Sequence, residues 1–178
     1  MKRGTVRREP EFKKAISNIY SRTMITKHVA LEIKNVGSNI KEILESSIKE
    51  QYEGRCIAEG FIKHNSIKVI TYSSGMLKGA RIIFEVVFEC MVCFPVEGQL
   101  INCVAKNITK AGIRGESLDE NPTPFIVFIP RDYEVSNPLF SEIKETDGFV
   151  ARIIAQRFEL NDTYVSIYAE LVDKKKYR

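Results

Sequence analysis

The first 94 residues of the chain carry two kinds of hydrophobic pattern. Apolar and polar residues alternate loosely over residues 23–33, where β-branched side chains are frequent, and this pattern predicts a strand. Over residues 39–52 the apolar side chains recur at steps of three and four, which predicts one amphipathic helix. Three further strands are predicted, over residues 55–59, 61–72 and 81–94. The first part of the chain is therefore expected to be an α+β domain, an antiparallel sheet with one main helix.

The rest of the chain is predicted to form five short strands separated by turn-forming residues. The predicted strands cover residues 99–108, 112–118, 124–130, 148–158 and 163–172. The connection between the third and the fourth strand is longer than the others. Five strands with a long connection at that place are typical of the OB-fold, a small all-β barrel that binds oligonucleotides.

The two parts meet at a hinge of five residues, Phe94 to Gly98, which leaves almost no linker between them. We therefore predict three segments: a basic N-terminal extension over residues 1–20, a first domain over residues 21–94 and a barrel domain over residues 95–178. A chain of 178 residues is long enough to bury two small cores.

Positive charge is concentrated at the N-terminus. The net charge is +4, and the first 20 residues alone carry six Lys or Arg against two Glu, so that the remaining residues are neutral overall. Because nonspecific affinity for nucleic acid rises with the number of phosphates that a protein neutralises, the folded part is expected to bind RNA only weakly by charge. The extension is either a solvated tail or an arm that contacts a polyanion.

The composition argues against a membrane protein. No apolar run approaches the roughly 18 residues that cross a bilayer, and no apolar segment of a signal peptide follows the basic N-terminus. The chain is therefore expected to be intracellular and without membrane contact.

The four cysteines, Cys56, Cys90, Cys93 and Cys103, raise the question of a metal site. Cys90 and Cys93 have the spacing of half a zinc knuckle. They lie in a predicted strand, where residues three apart point to opposite faces, and the chain has no second pair of this kind. Small buried thiols are therefore expected, with no metal and no cofactor.

Catalytic chemistry is not indicated either. The chain lacks a phosphate-binding Gly-rich loop followed by Lys, a His-x-x-x-His pair and a serine in a nucleophile elbow. We predict no catalytic residues.

Binding residues are predicted on the barrel. Along the last strand Tyr164 and Tyr168 share one face, where an exposed ring could stack on a base; equally, the two rings could cover a neighbouring domain or loop. Basic residues lie around the first barrel hairpin, after the third strand and on the fourth strand. They would form a path for phosphates if the barrel brings them together; the alternative is that each belongs to a solvated face. The predicted RNA-binding set is Lys106, Lys110, Arg114, Arg131, Arg152, Arg157, Tyr164 and Tyr168.

A second surface is predicted in the loop over residues 73–79, where Met76 and Leu77 form an apolar pair. An exposed pair of this kind favours docking on a partner. The alternative is that the loop folds back on its own sheet. The predicted docking residues are Ser74, Gly75, Met76, Leu77, Lys78 and Gly79.

Several short stretches, taken in order, resemble one protein family. They are the turn Glu53-Gly54-Arg55-Cys56, Gly60-Phe61-Ile62, the glycine-bearing loop 73–79, the strand through Phe84, Val86 and Phe88 into the hinge, and residues 98–104, 107–113 and 157–162. The family is the stalk subunit of multisubunit DNA-directed RNA polymerases, which comprises the seventh subunit of eukaryotic polymerase II and its archaeal counterpart. Val96 in the hinge, the acidic loop 119–124 and the basic extension bring the chain closest to the versions of large nucleocytoplasmic DNA viruses.

The resemblance implies a noncatalytic subunit whose tip domain docks on the polymerase core through the helix and loop 73–79. It implies an OB-fold that contacts single-stranded nascent RNA or initiation factors, and a smaller helical subunit as a further partner. The location would be the nucleus for a cellular protein, and the viral factory in the host cytoplasm, or the virion, for a viral one. The alternatives are a free-standing OB-fold protein that binds single-stranded RNA in translation or RNA turnover, and an adaptor whose barrel contacts only protein.

Overall fold

A computed structural model describes residues 18–134 and 137–175. The predicted basic extension therefore lies almost wholly outside the described residues. Residues 18–98 contain six strands and one long helix: β1 (Tyr20–Glu32), α1 (Ile40–Tyr52), β2 (Cys56–Ile57), β3 (Gly60–Ile62), β4 (Lys68–Tyr72), β5 (Met76–Lys78) and β6 (Arg81–Cys93). The described residues after position 98 form five strands and a short helix: β7 (Leu100–Ile108), β8 (Gly112–Ser117), β9 (Phe125–Pro130), α2 (Pro138–Glu142), β10 (Gly148–Arg157) and β11 (Val165–Lys175).

Strand β6 is the centre of the first sheet. It pairs antiparallel with β1 along its whole length, from Tyr20 opposite Cys93 to Glu32 opposite Arg81. On its other side it pairs in turn with β3, β4 and β5. Its even-numbered side chains from Phe84 to Val92 are buried in one core together with Leu44 and Ile48 of α1. The predicted combination of antiparallel sheet and main helix is therefore present.

Two details of the first sheet differ from the sequence-based prediction. The single strand predicted over residues 61–72 is two strands, β3 and β4, because the chain turns between them at Asn65, whose φ of 55° is left-handed. Residues 76–78 of the predicted loop form β5, which adds to the edge of β6.

The second part of the chain is a closed five-stranded barrel. The strand order is β7, β8, β9, β11 and β10, and β10 closes the barrel on β7. All neighbouring pairs are antiparallel except β9 and β11, which are parallel. Phe149 fills the interior beside Gly115, where an added Cβ would lie 2.7 Å from the Phe149 ring.

The long connection between β9 and β10 is fastened to the barrel through a buried carboxylate. Glu134 accepts a hydrogen bond from the backbone N–H of Leu171 at 2.6 Å and another from the Asn137 side chain at 2.7 Å. Asn137 in turn caps α2, whose Phe140 is buried against the barrel core. The helix and its flanking residues therefore close one end of the barrel.

The sheet and the barrel share buried side chains where they meet. Four side chains of the sheet, Tyr20, Cys56, Phe61 and Cys93, are buried in the same cluster as the barrel interior. The backbone N–H of Cys56 donates to the carbonyl of Asp162 at 2.7 Å, and the Asn161 N–H donates to the Cys56 carbonyl at 2.8 Å. Because the barrel core includes sheet residues, the domain boundary after residue 94 stays a prediction.

Neither helix in the described part of the chain has the length and apolar character needed to cross a bilayer.

Removing a side chain at this junction should destabilise the protein strongly. Phe61 lies on β3 but is fully buried against the barrel core. Phe61→Ala should lower the free energy of unfolding by about 3–5 kcal/mol, measured by urea denaturation. Leu77→Ala, at an exposed position, is the control and should change it by less than about 0.5 kcal/mol. Equal effects of the two changes would show that the sheet and the barrel do not depend on a shared core.

Candidate nucleic-acid interface

Three outward side chains line up across adjacent strands of the barrel. Arg114 on β8 lies opposite Phe128 on β9, and Phe128 lies opposite Tyr168 on β11. Their neighbours Ile113, Val127 and Ile167 point inward and are buried. Alternation along each strand therefore places a guanidinium and two aromatic rings side by side on the outer surface.

The two rings of this row hold each other edge to face. The centroids of Phe128 and Tyr168 are 6.2 Å apart, with an angle of 89° between the ring planes. Phe128 is half-buried, whereas Tyr168 is 51% exposed. Such contacts are favourable for aromatic pairs. Phe128 therefore packs against Tyr168, while much of the Tyr168 ring stays in contact with water.

Tyr164 is the second exposed tyrosine, and it lies at the junction end of the barrel. It comes just before β11, is 40% exposed, and its carbonyl accepts a hydrogen bond from the Cys56 thiol at 3.7 Å. Tyr164 and Tyr168 are four residues apart, which is roughly 13 Å along an extended chain. They could therefore contact different nucleotides of one strand.

Most of the predicted basic residues are partnered by a neighbouring side chain or by the backbone. Lys106 lies 3.7 Å from Glu116, Arg152 lies 2.9 Å from Glu170, and Arg157 lies 3.1 Å from Glu159. Arg131 donates to the carbonyls of Lys110 and Thr109 and lies 5.0 Å from the Phe140 ring. Arg131 thus holds the turn between β7 and β8.

Arg114 and Lys110 differ from that group. Within residues 18–134 and 137–175, neither has an ion pair or a side-chain hydrogen bond. Arg114 also belongs to the aromatic row, whereas Lys110 lies in the turn beyond it. The face therefore combines one unpaired guanidinium with exposed rings, and the acidic partners offset much of the remaining positive charge.

Phe128 is the functional candidate that the sequence analysis missed. Residues 125–130 are apolar at almost every position, so the run alone does not separate inward from outward side chains. The parallel pairing of β9 with β11 brings Phe128 next to Tyr168. The only local signal is the alternation with the buried Phe125, Val127 and Ile129.

The predicted docking segment combines the two alternatives that its sequence allowed. It folds back on its own sheet, since Met76 pairs with Ile83 and Leu77 with Ile82. At the same time the side chain of Met76 is 70% exposed and that of Leu77 is 67% exposed. The segment lies at the start of β6 and the barrel at its end, which separates them by roughly 33 Å along the strand.

The cysteines are buried thiols that face two cores. Cys90 belongs to the sheet core and Cys93 to the barrel core, so their sulfur atoms diverge as expected from their spacing. Burial raises the pKa of Cys90 to about 11 and the pKa of Cys56 and Cys93 to about 12, and it raises the pKa of Cys103 as well. Among the described residues, no three His, Cys, Asp or Glu side chains are grouped so that they could hold a metal ion.

Comparison with known proteins finds a similarity over most of the chain. A protein of Acanthamoeba polyphaga mimivirus, provisionally named as a DNA-directed RNA polymerase subunit, is 22% identical over 175 residues, covering 89% of this chain and 85% of that protein. The similarity thus extends over both the sheet and the barrel. No family model matches the chain.

Ionisation of the buried thiols should weaken the fold in alkali. The pKa of Cys90 is raised to about 11 from the usual value of 9.0, so the unfolded chain loses this proton first as the pH rises. The free energy of unfolding should therefore fall between about pH 9 and about pH 11, by up to about 1.4 kcal/mol per pH unit for this thiol. Cys90→Ala should show a shallower decline in urea denaturation across that range, and parallel declines would contradict the assignment.

Proposed function

We propose that this protein is a noncatalytic, stalk-type subunit of a DNA-dependent RNA polymerase. The observation that carries the proposal is the arrangement of the chain: a sheet with an exposed apolar end is joined directly to a closed barrel with an exposed aromatic face. The similarity to the mimivirus protein named as a polymerase subunit supports the same assignment. The resemblance of the hinge and of the segments around it supports the finer identification as a stalk subunit.

The barrel is proposed to be an OB-fold. Its five strands form a closed barrel in the order first, second, third, fifth, fourth. Helix α2 lies in the connection between the third and the fourth strand. In OB-folds the second and third strands form the face that binds oligonucleotides. Here those strands are β8 and β9, which carry Arg114 and Phe128.

The proposed ligand of this face is single-stranded nascent RNA. Unpaired bases stack on exposed aromatic rings with little dependence on sequence. Arg114 beside the rings can bind a phosphate or stack on a base. The pairing of Lys106, Arg152 and Arg157 with carboxylates implies modest affinity for free RNA. A subunit that is held at the RNA exit of a polymerase needs no more, because tethering raises the local RNA concentration.

The opposite end of the molecule is proposed to dock on the polymerase core. Met76 and Leu77 are large apolar side chains at the end of the sheet, and Ile33 is exposed as well. An exposed apolar cluster on a small protein is typical of an interaction surface. A smaller helical subunit is proposed as a further partner, and the site of action is the viral factory or virion for a viral protein, or the nucleus for a cellular one.

Polar substitutions at the end of the sheet should release the protein from the polymerase. The double variant Met76→Asp and Leu77→Asp should no longer copurify with the large polymerase subunits from the native source, because charged groups would be buried in the interface. Its urea denaturation midpoint should stay near that of the wild type, since both side chains are exposed.

Met24→Asp is the matched control, because Met24 is an exposed methionine on β1. This variant should still copurify. If the double variant does so too, docking through this segment is wrong. If the wild-type protein brings down no polymerase subunit and binds RNA tightly alone, the free-standing RNA-binding alternative replaces the proposed function.

Loss of the Tyr168 ring should weaken RNA binding. Stacking of one base contributes about 1–3 kcal/mol, so Tyr168→Ala should raise the Kd for single-stranded RNA by roughly 5- to 150-fold. Fluorescence anisotropy at fixed salt measures this effect. Tyr72→Ala removes a half-exposed ring from the sheet and should leave the Kd unchanged; equal effects of the two variants would exclude the barrel face as the RNA site.

A further inference from the structure

A second exposed apolar patch lies where the sheet meets the barrel. This seam patch consists of Phe94, Val96, Phe158 and Leu160. Phe94 is 45%, Val96 58% and Leu160 68% exposed, and the Phe94 and Phe158 rings meet edge to face at 6.1 Å. Two segments distant in sequence, the hinge and the connection between β10 and β11, thus present apolar side chains together.

Backbone hydrogen bonds fasten the hinge to strand β10. The Gly98 N–H donates to the Ile153 carbonyl at 2.8 Å, and the Ile153 N–H donates to the Gln99 carbonyl at 3.0 Å. The hinge backbone is therefore held in place by the barrel. The side chains above it stay exposed although the scaffold could have carried polar residues, which indicates an occupant.

The rim of the seam patch is acidic. Glu97, Glu159 and Asp162 are exposed there. Two basic residues lie near them: Arg157 pairs with Glu159, and the exposed Arg55 precedes Cys56, whose N–H donates to the Asp162 carbonyl. Among the described residues, the surroundings of the patch thus carry an excess of one negative charge. A suitable occupant has apolar side chains for the patch and positive charge for its rim.

The chain itself supplies a segment of that chemistry next to the patch. Tyr20 pairs with Cys93, the residue before Phe94, and Ile19 packs partly buried against the barrel core. The described structure therefore begins two residues before the strand position that pairs with Cys93. Residues 1–17 contain six Lys or Arg against two Glu, together with Phe12 and Ile16.

We propose that the seam patch binds the chain's own basic segment, residues 1–17. Seventeen residues can extend about 55 Å, far more than the width of the patch requires. A short tether gives an effective concentration on the order of 1 mM, so even a contact with a Kd of about 0.1 mM would be occupied about 90% of the time. This inference does not depend on the proposed function, and its failure would leave that function untouched.

Photocrosslinking of the full chain tests the proposal. Phe12 is replaced with p-benzoylphenylalanine, which keeps an aromatic side chain, and crosslinked peptides are located by mass spectrometry. Crosslinks from position 12 to residues 94–98 and 158–162 within one molecule are expected. Crosslinks confined to other surfaces, or none, would overturn the proposal.

Paired variants separate binding from mere proximity. Burial of one large apolar side chain is worth about tenfold in an equilibrium constant, so Val96→Asp with Leu160→Asp should lower the crosslink yield roughly tenfold or more. Met76→Asp with Leu77→Asp, a matched exposed pair at the far end of the sheet, should leave the yield unchanged. Equal yields in both double variants would overturn the proposal.

Two further measurements distinguish loss of binding from misfolding, and crosslinks within one molecule from crosslinks between two. Lys13→Glu with Lys14→Glu changes only the segment and should also lower the yield, so a patch variant that fails to fold does not decide the outcome. Mixing isotopically light and heavy chains shows whether crosslinks join one molecule or two. Crosslinks only between light and heavy chains would mean that a second copy occupies the patch and would refute the intramolecular contact.

Discussion

The structure depends on the burial of four sheet side chains in the core of the barrel. Tyr20, Cys56, Phe61 and Cys93 come from strands of the sheet, yet they share one cluster with the barrel interior. Separating the two parts would expose these side chains to water at a cost that grows with their apolar area. The barrel and the sheet are therefore joined by a shared cluster of buried side chains. The sheet also has a core of its own, which it forms with α1.

Much of the fold could be predicted from periodicity, because the pattern of apolar residues is strong where an element is long. The helix begins within one residue of its predicted start, and β6 and the five barrel strands lie close to their predicted bounds. The division of residues 61–72 into β3 and β4 could not be predicted, since it rests on the backbone conformation of Asn65. The parallel pairing of β9 with β11 is a long-range choice that no local pattern contains.

The candidate site was partly predictable for a related reason. Alternation along the last strand is enough to place Tyr168 outside the barrel, and the structure has it exposed. The carboxylates that pair with Lys106 and Arg152 lie on neighbouring strands, so their effect on local charge follows only from the register. Phe128 lies in a run that is apolar on both faces. The site thus depends on contacts between strands, which a single sequence does not display.

Strand β6 contributes alternate side chains to the sheet core and its last residue to the barrel core. Phe88 and Cys90 point toward α1, whereas Cys93 points into the barrel. Inserting or deleting a single residue within the strand would reverse the alternation, so that Glu85 and Glu89, which lie outside the sheet core, would point into it. Over evolutionary time this strand should consequently keep its length while its side chains vary, and relatives should accommodate changes in chain length in the connections between strands.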